Sequence, residues 1–221
     1  LVNKKILEIK KRKKVPILVG GTGLYFKAII EGLVEIPNIP DSLRNKVRSL
    51  HKKIGTKKFF LELLKVDPLS KNHIKPSDTQ RAIRAYEVKV FTKKSLYDWF
   101  KSTSSPYVKK DFYKIYIDFP REELIKRINN RTVEMIKKGA VKEVRKLKKL
   151  KIAKSKTANK AIGINEIKDY LNKKIEIDEV IEKISIKTRQ YAKRQATWAR
   201  GNMKDWNKIK SNSLNKFLIK I

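Results

Sequence analysis

The sequence predicts an α/β chain in which a small parallel sheet carries a helical insertion and is followed by C-terminal helices. Three observations predict it. The apolar run Val15-Pro16-Ile17-Leu18-Val19 suits a strand buried on both faces. A second run, Phe112-Tyr113-Lys114-Ile115-Tyr116-Ile117-Asp118, is aromatic and β-branched. The text between them is helical, and two strands separated by a helical block fit a parallel pair better than an all-helical bundle.

The elements follow in order. Residues 1–14 open with helical spacing and close on Lys10-Lys11-Arg12-Lys13-Lys14 before the first strand. The turn Gly20-Gly21-Thr22-Gly23 leads into helical spacing over 24–32. Pro37 and Pro40 mark a loop, Asp41 or Ser42 can cap a new helix, and short helical segments broken at Gly55 and Asp67-Pro68 run to about Lys101. A loop over 102–110, containing Pro106, precedes the second strand. Pro120 then opens a long helix that stops at Gly139, with further helices near 140–150, 159–171 and 177–200. The chain divides accordingly into 1–35, part of a core; 36–105, a helical insertion; and 106–221, a return to the core with C-terminal helices.

With 221 residues and 40% hydrophobic content the chain can build a real core. Lys and Arg number 56 against 22 Asp and Glu, a net charge of +34, and the charged fraction of 35% exceeds that of ordinary soluble domains. Such a chain is suited first to a nucleic acid and next to an acidic membrane surface. Lysine spread evenly from end to end is the competing explanation, so placement has to decide. The absence of cysteine excludes disulfides and thiolate chemistry, and the two histidines, His51 and His73, argue against a histidine metal site. No run approaches the roughly 20 apolar residues of a membrane span and no signal peptide opens the chain, which reads as soluble and cytoplasmic.

Four places carry candidate chemistry. The glycine turn can bring backbone amides close to phosphate or a base, though a tight strand-to-helix turn explains it as well; it is neither a Walker A sequence nor a G-x-G-x-x-G fingerprint. On the helix from Asp78, a step of about 100° per residue puts Ile83, Tyr86 and Val90 on one side and gathers Gln80, Arg81 and Arg84 on another, a solvated face or a strip for phosphates and base edges. In the helix from Glu122, Leu124, Ile125, Ile128 and Met135 form the apolar stripe, with Arg131 at its edge, where a partly buried guanidinium needs a protein carboxylate or a ligand phosphate. Arg127 lies more exposed. Near the C-terminus, Arg189, Lys193 and Arg200 share one helical face and Tyr191 and Trp198 the other, cations outward and aromatics inward.

Taken in order, these segments resemble the tRNA dimethylallyltransferase family. The match is carried by Val15-Pro16-Ile17-Leu18-Val19-Gly20-Gly21-Thr22-Gly23-Leu24-Tyr25-Phe26-Lys27-Ala28, by Asp67-Pro68, and by Asp78 with Gln80-Arg81-Ala82-Ile83-Arg84-Ala85. It continues through Arg127-Ile128 with Arg131, Met135 and Gly139, through Ala161-Ile162-Gly163, and through Lys193-Arg194-Gln195-Ala196-Thr197-Trp198-Ala199-Arg200.

The resemblance implies a P-loop NTPase-like parallel-sheet core, incomplete here, with a helical insertion that embraces the tRNA anticodon stem-loop. It implies transfer of a dimethylallyl group from dimethylallyl diphosphate to the exocyclic amine of adenine at tRNA position 37, with Mg²⁺ on the diphosphate. The base leaves its stack, an aspartate takes the amine proton, and diphosphate departs. By position, Arg131 matches the diphosphate-binding arginine. Thr22, Arg44, Gln80, Arg81, Ala82, Ile83, Arg84, Lys193, Arg194, Gln195, Thr197, Trp198 and Arg200 match tRNA-contacting positions. After Gly163 the family has an aromatic and a basic residue, where Ile164 and Asn165 stand here. A P-loop followed by the family's Asp-Ser motif with its general-base aspartate does not occur in these 221 residues, so the catalytic base is expected outside them and the Mg²⁺ ligands largely so. Two alternatives remain at this point: a non-catalytic basic RNA-binding fragment, and the related adenylate isopentenyltransferase, against which the spread of basic faces argues. No membrane or protein partner is expected, and the molecule reads as a monomer.

Overall fold

In the computed structural model, which describes residues 1–150, 152 and 157–219, the chain forms two units. One is Leu24–Phe112; the other joins Leu1–Gly23 to Tyr113–Ile221. The order of elements is α1 (Val2–Lys11), α2 (Gly23–Ile30), α3 (Asp41–Val66), α4 (Thr79–Thr92), α5 (Leu96–Lys101), β1 (Ile115–Asp118), α6 (Arg121–Lys137), α7 (Ala140–Lys149), α8 (Ile164–Leu171), α9 (Ile177–Asn202), β2 (Asn207–Lys210) and α10 (Leu214–Leu218), with short 3-10 turns between. The result is a mostly helical α/β fold with one small parallel sheet.

The unit Leu24–Phe112 is built on α3 and α4. Gly55, at φ +79°, interrupts α3, and Asp67 and Pro68 end it, as the punctuation predicts. Asp78 caps α4 by accepting the Arg81 amide at 3.1 Å, and Ser95 caps α5 by accepting the Tyr97 amide at 3.2 Å. Phe59, Phe60 and Leu63 of α3 pack against Ala82, Ala85 and Val88 of α4; the two alanines let the helices approach closely. Buried Asp67 accepts both Ser70 Oγ at 2.9 Å and Ser95 Oγ at 3.0 Å on one oxygen, tying the end of α3 to the start of α5.

In the other unit, α7, α8 and α9 enclose Ala140, Val144, Ile167, Val180 and Ile184, with Met135 and Ile136 of α6 at the edge. Pro120 starts α6, with Glu122 and Glu123 in its positive first turn, and Gly139 at φ +108° separates it from α7. The helix expected from residue 159 begins at Ile164 instead. Gly163, at φ +102°, cannot continue a right-handed helix and caps α8.

The sheet differs from expectation in its second member. β1 pairs in parallel with β2, Ile115 opposite Asn207 through Asp118 opposite Lys210. The run Val15–Val19 takes no regular secondary structure, with Val15 82%, Ile17 80% and Val19 90% exposed. A strand exists only in a ladder, and among the described residues none pairs with this run. β2 escapes sequence reading because its four residues, Asn-Lys-Ile-Lys, bury only Ile209 and show no alternation long enough to read.

Candidate nucleic-acid interface

The glycine turn and the last turns of α9 meet inside one unit, although some 170 residues separate them. Gln195 Nε2 donates to the Gly21 carbonyl at 2.8 Å, and a Cβ on Gly21 would lie 2.3 Å from that nitrogen. A Cβ on Gly23 would lie 2.0 Å from the Trp198 ring. Neither glycine has a positive φ, so close approach, rather than a special backbone conformation, requires them. The group that approaches is the protein's own helix. Gln195 and Trp198, which the resemblance places among the tRNA contacts, clasp the turn, while Lys193, Arg194, Thr197 and Arg200 of the same helix are exposed.

Thr22 is exposed at the turn, whereas Lys193 and Arg200, about half a helical turn round from Gln195 and Trp198, are exposed on the side of α9 that faces away from the clasp. Arg200 Nη2 donates to Thr197 Oγ1 at 3.1 Å, and Arg189 Nη1 reaches Asn129 Oδ1 of α6 at 3.4 Å. Tyr191, expected inward, is 40% exposed and lies under the Arg194 guanidinium, 5.6 Å from ring centroid to cation. The inward side of this helix end is instead Trp198 and buried Ala199.

On α6 the buried side is narrow, consisting of Ile128 and Thr132, whose hydroxyl donates to the Ile128 carbonyl at 2.9 Å. Arg131 flanks it and is exposed, not partly buried as its place beside the stripe predicts, because so narrow a contact leaves its long side chain in solvent. The ion pairs of this helix are Arg127 with Glu123 at 3.1 Å and Lys138 with Glu134 at 3.3 Å, which leave Arg131 without a carboxylate among the described residues. Arg127 is further held 4.7 Å over the Phe119 ring.

Behind α9, Glu166 is buried where Ala161-Ile162-Gly163 meets α8. The Gly163 amide donates to its Oε2 at 3.0 Å and Lys187 Nζ donates to its Oε1. Burial pushes this carboxyl up, but the Lys187 hydrogen bond and charge and the backbone amides outweigh it and hold the carboxyl below its ordinary value.

In the unit Leu24–Phe112 the Gln80–Arg84 strip divides by exposure. Ala82 is buried and Ile83 partly so, packing against α3. Gln80 and Arg81 are exposed, and Arg84 Nη1 lies 3.9 Å from Glu87, a carboxylate only 4% exposed that Arg48 approaches at the same distance. Arg44, on the same helix as Arg48, is partly buried. Gln80 and Arg81 line an open groove of about 570 Å³ with His73, Lys75, Ser77, Asp78 and Thr79. His73 stacks on Tyr97 at 4.0 Å, with the ring planes 18° apart. Burial raises the Tyr97 hydroxyl pKa above its ordinary value, opposed by Arg81 and aided by Asp67 and Asp78. Sequence reasoning missed this pairing, because His73 and Tyr97 lie 24 positions apart and only the fold stacks them.

Among the described residues no three His, Cys, Asp or Glu side chains gather to hold a metal, and no helix is long and apolar enough to cross a membrane.

A family model described as IPP transferase matches residues 1–202. The chain is 54% identical over 221 residues to a tRNA dimethylallyltransferase of Pelagibacter ubique, covering all of this chain and 71% of that one. It is 42% identical over 207 residues to the tRNA dimethylallyltransferase of Rickettsia massiliae, covering 93% and 57%. The full-length tRNA isopentenylpyrophosphate transferase of Bacillus halodurans matches in structure with a TM-score of 0.57 at 31% identity, covering 95% of this chain and 64% of that one. A eukaryotic dimethylallyltransferase acting on tRNA shares the fold with a TM-score of 0.73 at 24% identity, covering 98% and 56%. The chain therefore spans between 57% and 71% of the two curated relatives named here. Matched by the family model from residue 1 to residue 202 and by these relatives along almost its whole length, the chain belongs to the IPP transferase family.

Proposed function

We propose that this chain is the tRNA-holding part of a tRNA dimethylallyltransferase, which moves a dimethylallyl group from dimethylallyl diphosphate to the exocyclic amine of adenine 37. The relatives' names support this reading, and the single structural observation that carries it is the clasp of the glycine turn by Gln195 and Trp198. Thr22 beside the clasp and Lys193, Arg194, Thr197 and Arg200 along the same helix are exposed donors for an RNA backbone, which carries a phosphate at every nucleotide. The helical unit takes the anticodon stem-loop through Gln80, Arg81, Arg84 and Arg44. Its core is set in register by α3 and α4, so these side chains project from rigid elements.

Arg131 is the guanidinium for the diphosphate. It is exposed and faces no carboxylate among the described residues, so its charge remains available for the oxygen that gains charge as the carbon–oxygen bond breaks. The new bond forms between the amine nitrogen and that carbon, and the amine proton passes to an aspartate supplied outside these residues. Magnesium on the diphosphate would be held largely by groups outside these residues; among the described residues no three His, Cys, Asp or Glu side chains gather. The sheet belongs to a P-loop-like core, and the protein acts as a cytoplasmic monomer.

Two measurements test the reading. Nucleoside analysis of tRNA incubated with the whole protein and dimethylallyl diphosphate should show prenylated adenine at position 37; its absence with intact protein would refute the activity. An anticodon stem-loop with adenines at positions 36 to 38 should also bind this chain better than one substituted at 37. Equal binding to any hairpin would reduce the interface to generic electrostatics.

A further inference from the structure

The groove at the start of α4 combines features that the basic strip alone does not explain. His73 is exposed, yet its ring is not free to turn: it lies on Tyr97, which packs against the core of its unit and meets Phe100 edge-on at 5.9 Å. A second aromatic surface is thus held rigid at a place where the groove also presents Lys75, Gln80 and Arg81. Among the described residues Asp78 is the one carboxylate lining the groove, and it is already engaged by the Arg81 amide at 3.1 Å and by Arg81 Nη1 at 3.4 Å. A preformed flat ring, cations beside it and an amide that both donates and accepts are what an unpaired nucleotide requires: a face to stack on, charge for the phosphate and a partner for the base edge. A paired base keeps both of its faces covered within its own helix and gains nothing from such a ring.

We propose that His73 is the platform on which one unpaired loop base of the bound RNA stacks, with Lys75 and Arg81 on the adjoining backbone and Gln80 at the base edge. This rests on the tRNA reading above and deepens it, naming the helical unit as the holder of a single-stranded nucleotide. Tyr97 serves as a positioning residue, since it fixes the plane of the ring without touching the RNA. Because the stack is formed before RNA arrives, ordering it costs little on binding.

The test uses the whole chain and synthetic anticodon stem-loops carrying 2-aminopurine at one loop position at a time. Wild-type protein should quench one of these probes on binding. H73A should lose that quenching and about tenfold in affinity, the worth of one stacked base, whereas H73F, which keeps a ring, should retain both. Thermal melts of both variants accompany the binding data, and if H73A fails to fold, H73F against H73L decides. Wild-type affinity and quenching in H73A, or equal losses in H73A and H73F, would overturn the stack. Equal wild-type binding to the stem-loop and to a fully paired duplex would overturn the tRNA reading on which it rests, an outcome distinct from loop-selective binding that ignores residue 73.

Discussion

Gly23 and Arg131 show how differently two residues of one motif set can depend on their surroundings. Gly23 is required by the Trp198 ring, which occupies the volume a methyl group would need. Gly23→Ala should therefore push the indole aside and lower stability by about 1–3 kcal/mol, read as a drop in the urea midpoint with an unchanged slope. Arg131 is exposed and without a carboxylate partner among the described residues, so removing its side chain leaves no hole and no orphaned charge. Arg131→Ala should leave the melting temperature within the change that about 0.5 kcal/mol produces, while raising KM for dimethylallyl diphosphate in the whole enzyme and leaving KM for tRNA as it was. Wild-type kinetics in that variant would remove Arg131 from the diphosphate site.

Among the elements, α8 and α9 are joined by a charge whose state depends on pH. The Glu166 carboxyl, held below its ordinary value of 4.5, contributes stability that is complete above that value and is lost as pH falls through the lower folded pKa. Lys187 is about half exposed, which weakens the pair, so Glu166→Gln should cost about 1 kcal/mol at neutral pH. The distinguishing sign is the trend: wild type should lose this increment on acidification below pH 4.5, and the glutamine variant should show a flatter profile in melts taken across that range. Helices of this kind were legible in the sequence because their signals are local. Asp78, Pro120 and Gly139 mark ends whatever lies around them. The sheet was less legible because a strand is defined by its partner: the apolar run Val15–Val19 carries the stronger signal, yet β1 pairs with the nearly featureless β2. The candidate site follows the same rule. Residue types along α4 and α9 could be read from spacing, whereas the clasp of Gly21 by Gln195 and the stack of His73 on Tyr97 are products of tertiary folding.

For the whole molecule the dominant quantity is its net charge of +34. Binding to tRNA should weaken linearly in log affinity against log salt, and single substitutions of Lys193 or Arg81 by alanine should each reduce that slope by about 1 if the side chain meets a phosphate. A variant that weakens binding without changing the slope would place its residue away from the backbone. The same charge governs how copies of the protein treat one another. Val15, Ile17 and Val19 form an exposed apolar row with no ladder partner among the described residues, a surface suited to association with another copy. Like charge keeps two such rows apart only while its field reaches across the gap, and at about 0.1 M salt that reach shrinks to about 10 Å. Adding salt to release the protein from RNA therefore also removes what keeps it dispersed.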